Sequence, residues 1–342
     1  ISGVKNAVDV ITSLGETIIG LTADATRLDD AYGQVMKTTG MTREEVVRLN
    51  EEFQKMDTRT SREELNQLAY EAGKLGISGT EAVLQFVQAS DKINVALGDA
   101  LGEGAMVTVG KLTQVYKDAT QQLKDASLEE SMMKIGDALN ELGSSSTASE
   151  SYIVDFTARL AGVANQAGIS AADIMGFASA LDQDMQTVEV AATSLQTFIT
   201  QIFKKPAEFA KIAGKSVSEF SDLLANDMNE ALLLVLGNMQ SEGGLADLVP
   251  QLADLSLNGQ RATSVLADLA NNVDKVREAQ SIANKQMSEG GSIMKEVATM
   301  NNTAEAQMDK LRKRIEDVRI EIGEQLLPIA VTALNLAGKG IG

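Results

Sequence analysis

Apolar positions near the start of the chain fall at Val4, Val8, Ile11, Leu14, Ile18, Leu21, Ala25, Leu28, Tyr32 and Val35. The steps are threes and fours, as on one face of an α-helix. They predict a long amphipathic helix ending at Gly40. Gly15 and Gly20 weaken it, each by about 1 kcal/mol relative to Ala. The same period returns at the other end. Met294, Val297, polar Asn301, Ala304, Met308, Leu311, Ile315, Val318 and Ile322 alternate by three and four. That is about four heptads, enough to consider a coiled coil. The Gly290-Gly291 break and Ser292 as N-cap open this final helix, and Pro328 is expected to end or kink it. Met308, Leu311, Ile315, Val318 and Ile322 are the candidate self-association seam. A long helix that lays this stripe on its own domain gives the same pattern, and Asn301 and Ala304 are weak seam positions.

Between these ends, helix starts are written as caps. Thr42 with Glu45, Ser61 with Glu64 and Ser216 with Glu219 have capping-box spacing. Asp227 opens a helix over Met228–Met239. Further helices are predicted near 105–125, 128–142 and 187–203. A short one lies between Pro250 and Asn258-Gly259, and a longer one runs on to about Met287. Gly143 to Thr147 reads as a loop. Three junctions share one pattern: Gly40-Met41-Thr42, Gly76-Ile77-Ser78 and Gly168-Ile169-Ser170. A left-handed glycine stops one helix, the apolar residue folds back onto it, and the hydroxyl accepts from the free N–H groups of the next. Gly40, Gly76, Ser78, Gly168 and Ser170 are therefore structural turn residues. A shift of 92 places Leu68 on Leu160, Ala69 on Ala161, Ala72 on Ala164 and turn on turn. An internal duplication accounts for this, and so does the grammar shared by any two capped hairpins.

These elements imply an all-α fold, a multi-helix bundle of antiparallel helical hairpins flanked by long N- and C-terminal amphipathic helices. The expected divisions are 1–40 for the first long helix, 41–143 and 144–290 for two helical subdomains, and 291–342 for the heptad-like helix. Hydrophobic residues make up 44% of the 342, but aromatics only 4%, with no Trp. The core must then be built from Leu, Ile, Val, Ala and Met. The formal net charge is −18, which repels nucleic acid and anionic lipid, so no direct nucleic-acid binding is expected. No stretch approaches the roughly eighteen apolar residues of a membrane span. The chain opens on Ile1 rather than Met and reads as a fragment or processed product.

The chain holds no Cys and no His. That removes disulfides, thiolate catalysis, the commonest general base and the commonest transition-metal ligand. Gly102-Glu-Gly104 lacks a preceding strand, so it is no dinucleotide fingerprint. Glu44/Glu45 and Glu129/Glu130 sit in first helical turns, where they complement the helix dipole. Asp182 and Asp184 lack the rest of a calcium loop. No catalytic residue, metal site or cofactor is expected. The basic run Lys310, Arg312, Lys313, Arg314 reads as the solvated flank of the last helix, with an acidic partner as the alternative.

The order of these motifs resembles the core region of phage tail tape-measure proteins. Tyr32-Gly-Gln-Val-Met-Lys-Thr-Thr-Gly40 with Thr42-Arg-Glu-Glu45 is similar to its opening. Ser61-Arg-Glu-Glu-Leu65 leading to Ala72-Gly-Lys-Leu-Gly-Ile-Ser78 follows. Ile135-Gly-Asp-Ala-Leu-Asn-Glu-Leu142, the serine loop and Ala167-Gly-Ile-Ser170 resemble its middle, and so does Phe209 to Val217 leading to Phe220. Ile322-Gly-Glu-Gln-Leu-Leu-Pro328 looks like its close. The resemblance spans about residues 30 to 332. It implies a structural virion protein, not an enzyme, located in the tail interior and in the host cytoplasm during assembly. Its implied roles are tail assembly, tail-length determination and genome delivery. Its implied partners are further copies of itself and tail-tube, tail-tip or assembly-chaperone proteins. A helical scaffold of another secretion- or injection-type machine fits the same hairpins, and a cell-wall hydrolase using a lone Glu fits them less well.

Overall fold

The computed structural model describes residues 2–102, 104–239, 245–255, 257 and 259–339. In chain order the first helices are α1 (Ser2–Thr39), α2 (Arg43–Lys55), α3 (Arg62–Lys74) and α4 (Thr80–Leu97). Next come α5 (Ala105–Tyr116), α6 (Leu128–Ser145), α7 (Glu150–Gln166), α8 (Ala171–Gln183) and α9 (Val188–Lys204). Then follow α10 (Pro206–Ile212), α11 (Val217–Asn226), α12 (Met228–Met239), α13 (Leu245–Asp254), α14 (Gln260–Asn271) and α15 (Val273–Glu289). The last two are α16 (Ser292–Asn301) and α17 (Ala304–Lys339). No strand occurs among the described residues, and the fold is all-α. The chain groups into two compact units, 1–91 with 298–342, and 92–297.

In the first unit, α1 packs on α3 and α17, and α2 on α3. Ala25, Leu28, Tyr32 and Val35 of α1 are buried, at the spacing read from the sequence. Val4, Val8, Ile11 and Leu14 lie in α1, with side chains outside the described residues. The Thr42 and Ser61 capping boxes both form. Between α2 and α3, Asn50 and Asn66 exchange side-chain amide hydrogen bonds of 3.0 and 2.7 Å. Buried amides must be paired, so this exchange fixes how the two helices slide on each other.

The second unit is organised around α8, which packs on α15, α7 and α6. Every residue from Ala171 to Leu181 except Asp173 is buried. A helix this apolar on all sides belongs in the middle of a bundle. Its small residues let the neighbours approach closely. α15 packs on α6 as well, and α9 on α7 and α14.

The glycine turns take the expected left-handed form at Gly40, Gly76 and Gly168. The two related by 92 residues share their bonding. Ile77 N–H donates to Ala72 O at 3.1 Å, and Ile169 N–H to Ala164 O at 2.9 Å. Gly214 makes the same turn, with Lys215 N–H on Ala210 O at 2.9 Å. Lys215 is not apolar, so the sequence pattern passed over it. Because Gly214 lies off the 92-residue offset, local capping chemistry is enough to produce the shared geometry. The hydroxyls differ. Ser170 caps α8 by accepting from Asp173 N–H at 3.1 Å. Ser78 does not cap: its hydroxyl donates to Thr39 O at 2.7 Å, tying the α3–α4 turn to the end of α1, and α4 begins on Gly79 instead.

Other boundaries depart from expectation for identifiable reasons. The helix predicted over 105–125 stops at Tyr116. Thr120 becomes extended there and its hydroxyl accepts from Ala171 N–H at 3.1 Å. The helix expected to reach Met287 breaks at Asn272, which donates to Asp184 at 3.0 Å. Pro250 lies inside α13 rather than at its edge, and Asn258 is outside the described residues. The final helix is not continuous. It breaks before Ala304, with the Thr303 hydroxyl accepting from Ala306 N–H at 3.1 Å, and then runs through Pro328. Ser292 is not its cap. The buried Asp137 carboxylate receives Gly291 N–H at 3.1 Å and Ile293 N–H at 2.7 Å.

Met185 is the one non-glycine residue at positive φ, +60°, among the described residues. It occupies the position after α8 where a glycine is usual; Gln186 N–H reaches back to Leu181 O at 3.1 Å. Its side chain is 90% exposed, so no packing offsets the strain. Met185→Gly is expected to stabilise the protein by about 1 kcal/mol, read as a rise in denaturant midpoint. An unchanged or lower midpoint would refute that account of the turn.

Candidate assembly surface

The candidate surface is built on α17, and what positions it is an inner face of small and apolar residues around one buried lysine, bordered by ion pairs. The inward residues are Ala306, Lys313, Ile320 and Gly323, all buried. In a heptad that starts at Met308, Ala306, Lys313 and Ile320 occupy the position opposite the seam. The helix is therefore seated on its own unit by its back. Lys313 is 6% exposed. Its ammonium donates to Met56 O at 3.0 Å and Phe53 O at 3.3 Å. It thereby adds a second donor to carbonyls at the end of α2 that already accept Met56 N–H and Thr58 N–H, where a cation also complements the helix dipole.

Further ion pairs surround it. Lys310 meets Asp57 at 2.9 Å, Arg59 meets Asp309, and Arg319 meets Asp24 at 2.7 Å. The buried Arg62 guanidinium lies 3.5 Å from Asp317 and 3.4 Å from the Tyr32 hydroxyl. At those distances the contacts are ionic or weak hydrogen bonds, and Arg62 Nε and Asp317 Oδ1 have no hydrogen-bond partner. Burial pushes the Lys313 ammonium below its usual range. Burial likewise pushes Asp317 and Glu316 above theirs, and the neighbouring Arg62 and Lys313 only partly counteract this at Asp317. The shifts share a cause: α17 holds charge in a poorly solvated contact. Such contacts give geometry at a high desolvation cost.

The outer face is the reverse. Met308, Leu311, Ile315, Val318 and Ile322 are each between 44% and 55% exposed. The structure brings all five onto one side of α17, away from its seat, and exposed Ile329 extends the same line. The basic run is split by the helix turn. Lys310 and Lys313 face inward, Arg312 pairs with Asp309 of its own helix, and Arg314 has no ion pair among the described residues. Lys313, Arg62 and Gly323 were not singled out from the sequence as residues that hold the surface. A lysine at the centre of an apolar-spaced helix carries no signal of its own, because its burial depends on the end of α2 reaching it.

A second polar cluster lies inside the other unit. The Asp173 carboxylate accepts from the Ser170 hydroxyl at 2.6 Å and from Asn284 at 2.8 Å. Gln280 donates to Asp173 O at 3.1 Å and exchanges amide hydrogen bonds with Asn229, both 2.9 Å. Burial raises the Asp173 pKa, outweighing the hydrogen bonds from Ser170 and Asn284 that lower it. With the folded pKa above the unfolded value of about 3.9, the fold binds this proton more tightly than the unfolded chain does. The resulting stabilisation is present at low pH and is lost as pH rises through the folded pKa. Thermal melts between pH 3.5 and 7 should therefore show a smaller loss with rising pH in Asp173→Asn than in the parent chain. Parallel profiles for the two proteins would sink this assignment.

No cluster of metal-binding side chains and no helix long and apolar enough to cross a membrane occurs among the described residues. Fold and surface together define a helical protein with an outward apolar stripe held on a seat bordered by ion pairs, the form of an assembly component. A family model described as phage-related minor tail protein matches residues 43–247, more than half of the chain. The chain belongs to that family, and so among the structural components of phage tails and the proteins of the virion. No curated protein and no solved structure matches it.

Proposed function

We propose that this chain is the core segment of a tape-measure protein. In this reading it lies in the tail interior during assembly, after synthesis in the host cytoplasm. It contributes to setting tail length and leaves ahead of the genome at infection. The observation that supports the reading most is the order of motifs. The family match at 43–247 lies within the longer run from Tyr32 to Pro328 that resembles the tape-measure core. The acidic composition suits the role, since an acidic wall does not retain passing DNA. Tail-tube, tail-tip and assembly-chaperone proteins are the partners this role requires, and the exposed stripe of α17 is the surface on which assembly contacts would form.

The test is genetic. In-frame deletions and duplications of the reading frame outside this segment should shorten and lengthen the tails seen by electron microscopy in proportion to the residues changed. Tails of unchanged length would refute the reading.

A further inference from the structure

The apolar stripe of α17 needs an occupant, and its flanks bear on which one. In the heptad that places Met308, Ile315 and Ile322 at one seam position and Leu311 and Val318 at the other, the flanking positions are Arg312 and Arg319 on one side. On the other they are Gln307, Arg314 and Glu321. Arg312 and Arg319 are at least half exposed, and Arg314 is exposed and without an ion pair among the described residues. Flanking charges choose the partner of a coiled coil. In a parallel, in-register pair of α17 helices, Arg314 of each copy meets Arg319 of the other, on both sides. In an antiparallel pair centred on the stripe, Arg314 meets Glu321, but Arg312 meets Arg319. Both arrangements set arginine against arginine. An apolar helix flanked by carboxylates meets no such conflict.

We propose that the outer face of α17 is a docking site for an amphipathic helix of another protein, with apolar residues at three-four spacing and Asp or Glu on its flanks. Charge complementarity with Arg314, which is exposed and without an ion pair among the described residues, supports this occupant over a second copy of the chain; Arg312 and Arg319, held by Asp309 and Asp24 of the same chain, lie beside it on the rim. The site is compatible with the intact fold, because α17 is seated by the opposite face through Lys313 and Ile320. Docking then requires no rearrangement. The proposal rests on the reading of this protein as a tail assembly component, and it adds the chemistry of the partner.

Two synthetic helical peptides test it against the full chain. Both carry Leu and Ile at the seam positions; one has Glu at the flanks, the other Lys. Fluorescence anisotropy should show the Glu peptide binding about tenfold or more tightly than the Lys peptide, as several flanking pairs switch from attraction to repulsion. Its affinity should fall as salt rises. Ile315→Asp should abolish binding while leaving the thermal midpoint unchanged, because Ile315 is half exposed. Arg314→Glu should reduce the preference between the peptides. Binding of neither peptide, or equal binding of both, overturns the proposal. So does sedimentation of the chain alone as an oligomer that Ile315→Asp dissociates, which would assign the stripe to a second copy. None of these outcomes alters the tail-length test, so the docking site and the tape-measure role can fail separately.

Discussion

Gly176→Val is expected to disrupt the second unit more than any other single change to a small residue in it. Gly176 sits at the middle of α8, against α15. A Cβ added there would lie 2.7 Å from Gln280 N and 2.9 Å from its Cα. Those are backbone atoms and cannot swing aside, so the helices themselves must separate. The same displacement strikes the Gln280 side chain, at 2.4 Å from its Cγ, and with it the amide exchange to Asn229 and the contact to Asp173 O. Overpacking at a rigid contact costs about 3 kcal/mol or more, and the loss of buried hydrogen bonds adds to it. For a unit of this size the melting temperature should fall by about 6–12 °C. Even Gly176→Ala should destabilise, against its better helix propensity. Gly162→Ala is the control. Gly162 is a helical glycine, and a Cβ added to it would meet nothing within 4 Å, so alanine there should stabilise by up to about 1 kcal/mol. If the two alanine variants melt alike, close approach is not what Gly176 provides.

The contrast between those two glycines shows which parts of the molecule the sequence reveals. Helix starts were legible because the chemistry is local. Thr42 reaches only as far as Glu45, Ser61 as far as Glu64 and Ser216 as far as Glu219, and all three boxes form. Left-handed glycines were legible at Gly40, Gly76 and Gly168 for the same reason. Breaks forced from a distance were not. Thr120 leaves its helix for Ala171, and Asn272 leaves its own for Asp184, 51 and 88 residues away. The candidate surface divides in the same way. Its residues were legible as a three-four stripe, but not the direction in which the stripe points. Periodicity identifies a face and says nothing of what lies against it. That was settled by Lys313 reaching the last carbonyls of α2, and by the close crossing of α1 and α17.

That crossing supports the second large effect: Gly323→Val is expected to unseat α17 from α1. A Cβ on Gly323 would lie 2.1 Å from Leu21 O, 2.9 Å from Leu21 C and 3.1 Å from the Ala25 Cβ. The nearest obstacle is again backbone, so the two helix axes must move apart. The contact is less forgiving than an apolar one, because the neighbouring grip is ionic. Arg319 holds Asp24 at 2.7 Å one helical turn away, and Lys313 stays buried and Asp317 partly buried only while α17 remains in place. Charge exposed piecemeal returns to water favourably, so a partly displaced helix has little holding it back. About 3 kcal/mol or more is expected to be lost, and the loss should be regional. Hydrogen exchange should accelerate in α17 and the facing part of α1, while amides of the second unit keep their protection. Gly33→Ala supplies the comparison in the same unit, since Gly33 has open space around it and should tolerate alanine. A uniform rise in exchange across both units would mean that α17 is part of the global fold rather than a seated helix. Unchanged exchange in α17 would mean that the charged pairs, and not the close crossing at Gly323, position the stripe.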